Sequence, residues 1–258
     1  MMTQRHRGFT LIEILVALFV GLFLLGGLFT ILQTTRRTSS NKTGLTLLQD
    51  EERMAMSMIN DVVQNAGYFD TNTYQTAKTA WPSAVADGVS GTSLAAGQAL
   101  TGLHTGATTA DVLVARYATN GTGATTPDGI INCIGGTSVA ATNYLNTFYV
   151  AQPTASTYAL YCTADGVQAD GALLVYGVKN LQVWYGVATA AVTNNVDTYK
   201  TADQMSAADW SNTTSVRVTL TFVNPLYAAA QSTQQPQYVY FTRVIALQGR
   251  TGVTASAL

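Results

Sequence analysis

The sequence predicts an α+β protein, with one long N-terminal helix, apolar and then amphipathic, packed on an antiparallel β-sheet. Three observations carry that prediction. Residues 9–32 form an apolar run interrupted by a single charge, Glu13. Residues 48–66 repeat apolar side chains at three- and four-residue steps, the period of one helical face. From Asp111 onward, short runs rich in Val, Leu, Tyr, Phe and Thr alternate in period two between turn-forming residues, the pattern of strands.

A short basic leader, residues 1–8, carries Arg5, His6 and Arg7 and ends in Gly8. The apolar run behind it makes a helix of roughly 36 Å, enough to cross a bilayer with some tilt. It is longer than the apolar region of a secretory signal, and no small-residue cleavage site closes it. The helix is therefore expected to be kept. The flanking charges leave its orientation open, because Arg5 and Arg7 precede it while Arg36, Arg37 and Lys42 follow.

Residues 33–67 are expected to continue the same helix. Gln33 to Thr46 is polar; beyond it Leu48, Ala55, Met58, Ile59, Val62, Val63 and Ala66 form the apolar stripe. Asp50, Glu51, Glu52, Arg53 and Asp61 fall mostly on other faces, and Gly67 supplies the stop. Phe9 to Ala66 would span roughly 87 Å if continuous. Gly21, Gly26, Gly27 and Gly44 are its soft points.

Residues 68–258 make up the globular, β-rich remainder, roughly 190 residues and enough for one substantial core. Residues 70–108 read as a long connecting loop with short ordered pieces, in which Tyr74 and Trp81-Pro82 are the bulky landmarks. In the strand from Asp111, Val112, Val114 and Arg116 alternate with Leu113, Ala115 and Tyr117. Phe148 to Val150 and Tyr158 to Cys162 are predicted strands flanking a turn at Pro153. Leu173 to Tyr176 follows, and then Leu181 to Val187 after a turn at Lys179-Asn180. Val216, Val218, Leu220 and Phe222 make an apolar face opposite Arg217, Thr219 and Thr221, and Tyr238 to Leu247 is the last long strand. Trp184 and Tyr185 are expected on opposite faces of their strand.

Glu13 makes the apolar helix more than an anchor. A carboxylate in a membrane helix costs roughly 2.5–3.5 kcal/mol near the centre and is normally kept for function or has a partner. Taken alone, one turn into the helix, it also fits a group at headgroup depth beside the positive end of the helix dipole. Its surroundings say more. Gly8-Phe9-Thr10-Leu11-Ile12-Glu13, with its basic leader and following apolar helix, closely resembles the cleavage and methylation site of type IV prepilins.

Further segments extend the likeness. Asp111 to Tyr117, Asp128 to Cys133, Leu160-Tyr161-Cys162, Gly177 to Gly186 and Arg243 to Leu247 resemble the PilW class of minor pilins. The resemblance implies a pilin-like fold and a definite itinerary. A prepilin peptidase would cut between Gly8 and Phe9 and methylate the new amine of Phe9. The subunit would wait in the inner membrane lipid, single-pass, with its C-terminal domain in the periplasm. It would then join other minor pilins and the major pilin, through the inner-membrane assembly machinery, in a pilus on the cell surface. There Glu13 would pair with the N-terminal amine of a neighbouring subunit. The resemblance further implies a complex that primes filament assembly and sits at its tip, where a tip adhesin is a further partner. One departure is plain: the proline that major pilins carry in the apolar half is absent.

Cys133 and Cys162 lie 29 residues apart in the part that this anchor sends out of the cytosol. In an oxidising periplasm they read as a disulfide; two reduced structural thiols would suit a cytosolic protein. A metal site is the poorer reading, since only His104 remains once the leader is removed.

Composition and motifs argue against other classes. Lys and Arg number 13 against 14 Asp and Glu, a formal charge of -1, so no basic footprint for nucleic acid is present. Charged residues are only 10 % of the chain, far below the usual quarter. No nucleophile-elbow, phosphate-loop or zinc-protease motif occurs. His104 is expected to be a solvated loop residue with no neighbouring acid, and Asp165 and Asp170 an ordinary polar turn in preference to a calcium site. No cofactor and no catalytic residue are predicted. The reading is a non-enzymatic assembly protein. The alternatives are a minor pseudopilin of a type II secretion system, a tip module binding surfaces or DNA, and a membrane-anchored periplasmic enzyme.

Overall fold

One helix, α1 (Leu11–Asn65), fulfils the N-terminal expectation and runs unbroken through all four glycines. The structure is a computed structural model that describes residues 10–84, 88–120, 129–155, 157–189, 195–227 and 235–249. It divides into two compact units, Met1–Leu47 and Leu48–Leu258.

In the first unit the apolar side chains of the helix are exposed, from Leu11 at 78 % to Leu32 at 50 %. Beyond them the helix turns polar, and its threonines serve themselves. The hydroxyls of Thr30, Thr34, Thr38, Thr43 and Thr46 each donate to the carbonyl four residues back, at 2.9–3.0 Å. These side-chain donors are thus satisfied within the helix itself.

In the second unit the helix buries the face its sequence period marks out: Leu48, Ala55, Met56, Ile59, Val62, Val63 and Ala66. Met56 takes the place expected for Met58, which is only half-buried at the mouth of a small cleft beside Val62, Tyr117 and Ile131. The stop is the expected one. Gly67 adopts φ 86°, and its N–H donates to the carbonyl of Arg116 at 3.0 Å, which fixes the helix end to the sheet.

Two antiparallel sheets meet this helix, where a single sheet was expected. The first has the order β1-β2-β3-β4-β5: β1 (Leu100–Leu103), β2 (Val112–Ala118), β3 (Asn143–Thr154), β4 (Thr157–Thr163) and β5 (Ala172–Tyr176). The second has the order β7-β6-β8-β9: β6 (Val178–Val187), β7 (Thr198–Lys200), β8 (Thr213–Val223) and β9 (Tyr238–Ala246). Leu113, Tyr117, Phe148 and Leu160 from the first join Leu181, Tyr185, Val218 and Phe222 from the second in one core under the α1 stripe.

Two turn expectations are corrected. Pro153 lies inside β3, at an irregularity where it needs no ladder N–H, and the chain turns near residue 155 instead. Lys179 and Asn180 lie within β6; the turn sits at Gly177, which takes φ 79°. The long loop after α1 holds short ordered pieces, as expected: α2 (Ala77–Ala80) and β1. Strand β2 is buried on both faces because Ala84, Val89 and Leu94 cover its far side, Leu94 packing with Val112, Val114 and Tyr149.

Candidate assembly site and its folded support

Glu13 sits in the first turn of α1, whose N-terminal N–H groups donate to Thr10, Glu13 at 3.1 Å and Ile14 at 3.3 Å. Its neighbours Leu11, Ile12 and Ile14 are 78 %, 67 % and 55 % exposed. The carboxylate makes no ion pair or side-chain hydrogen bond among the described residues. It is thus a lone charge on an otherwise apolar surface, and it attains charge compensation only from outside the described chain. Gly8 and Phe9, the other two expected site residues, lie outside the described residues, as does Asp128.

Cys133 and Cys162 form a disulfide, with Cα atoms 6.3 Å apart. Both are buried. Cys162 belongs to β4; Cys133 lies within a tight turn in which the Asn132 side chain accepts from the N–H groups of Ile134, at 3.1 Å, and Gly136, at 2.7 Å. Polar groups reinforce the staple. The N–H of Cys133 donates to the buried Asn146 side chain at 2.8 Å, and the Tyr117 hydroxyl donates to the Ile131 carbonyl at 2.6 Å. The loop is therefore tied to β3, β2 and β4 at once.

His104 is not the solvated residue expected. Its Nδ1 lies 2.7 Å from Asp111 Oδ1, and Asp111 is 2 % exposed. Asp111 is seven residues further on and only the end of β1 folding back on β2 brings it close. Its other oxygen accepts the Val183 N–H at 2.7 Å, and its own N–H donates to the Leu181 carbonyl at 2.7 Å. Asp111 thus completes the edge of β6 beyond the end of β7, joining the two sheets. Burial pushes its carboxyl pKa up, against the opposing pull of the Val183 N–H and His104. No nucleophile accompanies this pair among the described contacts, and its geometry is that of a sheet junction. Asp165 accepts from the Thr163 hydroxyl at 2.7 Å and the Val167 N–H at 3.0 Å, as a polar turn does. Among the described residues no group of three or more His, Cys, Asp or Glu is placed to hold a metal ion.

Residues 3–29 match the prokaryotic N-terminal methylation motif, and residues 147–251 match the family described as type IV pilus-assembly protein W. Together the two matches make the chain similar to PilW-class, prepilin-type minor pilins. No curated protein and no solved structure matches the chain.

The methylation-motif match contains Gly8, Phe9 and Glu13, and α1 is long and apolar enough to cross a membrane. The PilW match runs from within β3 through β9, and so takes in Cys162 and the whole second sheet. Both matched families are structural components of pili. The chain carries one buried charge whose role the sequence reading passed over, Arg116. It is 0 % exposed, and its guanidinium donates to the carbonyls of Gln98 at 2.5 Å, Pro82 at 2.8 Å and Ala95 at 2.6 Å. Burial pulls its pKa down to about 10. The available signal was a lone cation inside a strand that is apolar on both of its faces.

Proposed function

We propose that this chain is a minor pilin that is cleaved between Gly8 and Phe9 by a prepilin peptidase and methylated on Phe9. Residues 9–32 hold it in the inner membrane, residues 33–67 continue the helix, and residues 68–258 fold in the periplasm. It then joins other minor pilins to prime type IV pilus assembly and enters the filament at or near its tip. The observation that carries this reading is Glu13, a carboxylate without a described partner on the exposed apolar helix of a methylation-motif segment. Two opposite charges that are each costly in hydrocarbon neutralise one another when subunits meet, so a pair between Glu13 and a neighbour's N-terminal amine favours association in one register. The oxidised Cys133–Cys162 pair supports an extracytoplasmic domain.

The test is Glu13→Ala in the full chain. Membrane insertion and N-terminal processing are expected to stay near wild type, while the amount recovered in sheared pili falls about tenfold or more, the scale of losing one buried charge pair. Normal incorporation of the variant would end the charge-pairing role.

A further inference from the structure

The two sulfurs of the Cys133–Cys162 bond differ in access. Cys162 lies within β4 and is 0 % exposed. Cys133 is 5 % exposed and belongs to the lining of a cleft of about 230 Å³, of which Cys162 is not a part. Met58, Asp61 and Asn65 line this cleft from α1, Ile131 and Cys133 from the turn, and Tyr117 from β2. Among its described lining residues Asp61 is the one charge.

Thiol–disulfide exchange begins when a thiolate reaches one sulfur, and access decides which sulfur is attacked. The cleft gives that access at Cys133 and withholds it at Cys162. Exchange does not require the turn to leave its place, because other bonds hold it there. The Cys133 N–H donates to Asn146 at 2.8 Å, the Tyr117 hydroxyl donates to the Ile131 carbonyl at 2.6 Å, and the Asn132 side chain closes the turn on Gly136 at 2.7 Å. The carboxylate of Asp61 repels a nucleophile that is itself an anion, and repels it more strongly when it carries a second negative charge.

We infer that Cys133 is the site at which an external thiol enters this disulfide in the folded domain, through the cleft beside Met58 and Asp61, and that the cleft selects a small thiolate without added negative charge. The thiolate sulfur attacks Cys133 Sγ. A new S–S bond forms there as the Cys133–Cys162 bond breaks, and Cys162 leaves as a thiolate that takes a proton from water. One disulfide replaces another, so no further oxidant or reductant is consumed. Return attack by Cys162 on Cys133 expels the thiol and restores the original bond. The inference rests on the disulfide and its cleft, not on the pilin reading.

The experiment exposes the full chain, folded in detergent, to cysteamine, 2-mercaptoethanol or 2-mercaptoethanesulfonate, quenches with acid and maps the mixed disulfide by peptide mass. The first thiolate carries a compensating ammonium and the last an added sulfonate, so the three differ in charge at similar size. Each rate is referred to that thiol's reaction with a small disulfide in solution. The adduct is expected on Cys133 over Cys162 by about tenfold or more, as access to one sulfur requires. Its rate is expected to rise in proportion to thiol concentration and to fall from cysteamine to 2-mercaptoethanol to 2-mercaptoethanesulfonate. Asp61→Asn keeps the backbone carbonyl that accepts from the Asn65 side chain. It is expected to raise the rate with 2-mercaptoethanol about fivefold, the effect of removing one like charge near contact in water, and to change that with cysteamine far less. Equal adducts on the two cysteines, an adduct mainly on Cys162, or none at all overturns the site. A rate that levels off with thiol concentration shows that attack waits on unfolding, and overturns it as well. An order of rates that Asp61→Asn leaves unmoved overturns the selectivity.

Discussion

Arg116 and the Cys133–Cys162 pair hold the folded domain by opposite means. The arginine acts on the native state: it gathers the carbonyls of Pro82, Ala95 and Gln98 around one buried guanidinium and thereby fixes the loop between α2 and β1 against β2. Arg116→Met would fill much of the same space but leave the carbonyls of Pro82 and Gln98 without the guanidinium, while Ala95 keeps the Gln98 N–H at 3.1 Å. Each unsatisfied buried group costs about 1–3 kcal/mol, so a loss of about 2 kcal/mol or more is expected in urea unfolding. A change under about 1 kcal/mol would show that water replaces the guanidinium at no cost. The disulfide acts mainly on the unfolded chain. Closing its loop is worth about 3–4 kcal/mol in the chain-entropy picture, and Cys133→Ala is expected to lower domain stability by that order while leaving N-terminal processing unchanged. An unaltered melting curve would contradict the staple. The two differ in legibility. A pair of cysteines behind a membrane anchor announces a disulfide; a buried arginine satisfied by carbonyls announces nothing, because its partners lie 18 and more residues away in a loop without a pattern. His104 was misread for the same reason, since its acid is brought close only by strand pairing.

Among the elements, α1 was legible nearly to the residue because its two signals, an uninterrupted apolar run and a three-to-four-residue stripe, are local. Its stop was legible too, since a glycine can adopt the positive φ that ends a helix. Gly67→Ala keeps the chain but must hold φ 86° with a Cβ, which would meet Ala99 Cβ at 3.4 Å. A loss of about 1–2 kcal/mol is expected from the strained conformation, read as a lower unfolding midpoint of the full chain in detergent; an unchanged midpoint would show that the helix end adjusts freely. The strands were legible as segments but not as sheets. Period-two patterns place Val216 to Phe222 and Tyr238 to Leu247, yet nothing in them says that β5 and β6, adjacent in sequence across Gly177, enter different sheets. The turn at Gly177 was mistaken for one at Lys179-Asn180 because Asn and Lys beside an apolar run look like turn residues. In the fold they begin β6, where Lys179 lies over Tyr158.

At the scale of the whole molecule, the two units meet different surroundings with different chemistry. Residues 11–32 expose apolar side chains around one unpaired carboxylate, which suits a lipid and then a bundle of like helices. Residues from Leu48 on bury their apolar stripe under two sheets. In the proposed reading the chain passes from a bilayer into an assembly, and the cut between Gly8 and Phe9 begins that transfer by creating the amine with which Glu13 would pair. Intact-mass and N-terminal analysis of the protein from its native membranes tests that step most directly. The account predicts a chain that begins with methylated Phe9; a chain still beginning at Met1 or Met2 in cells that contain the prepilin peptidase would contradict it.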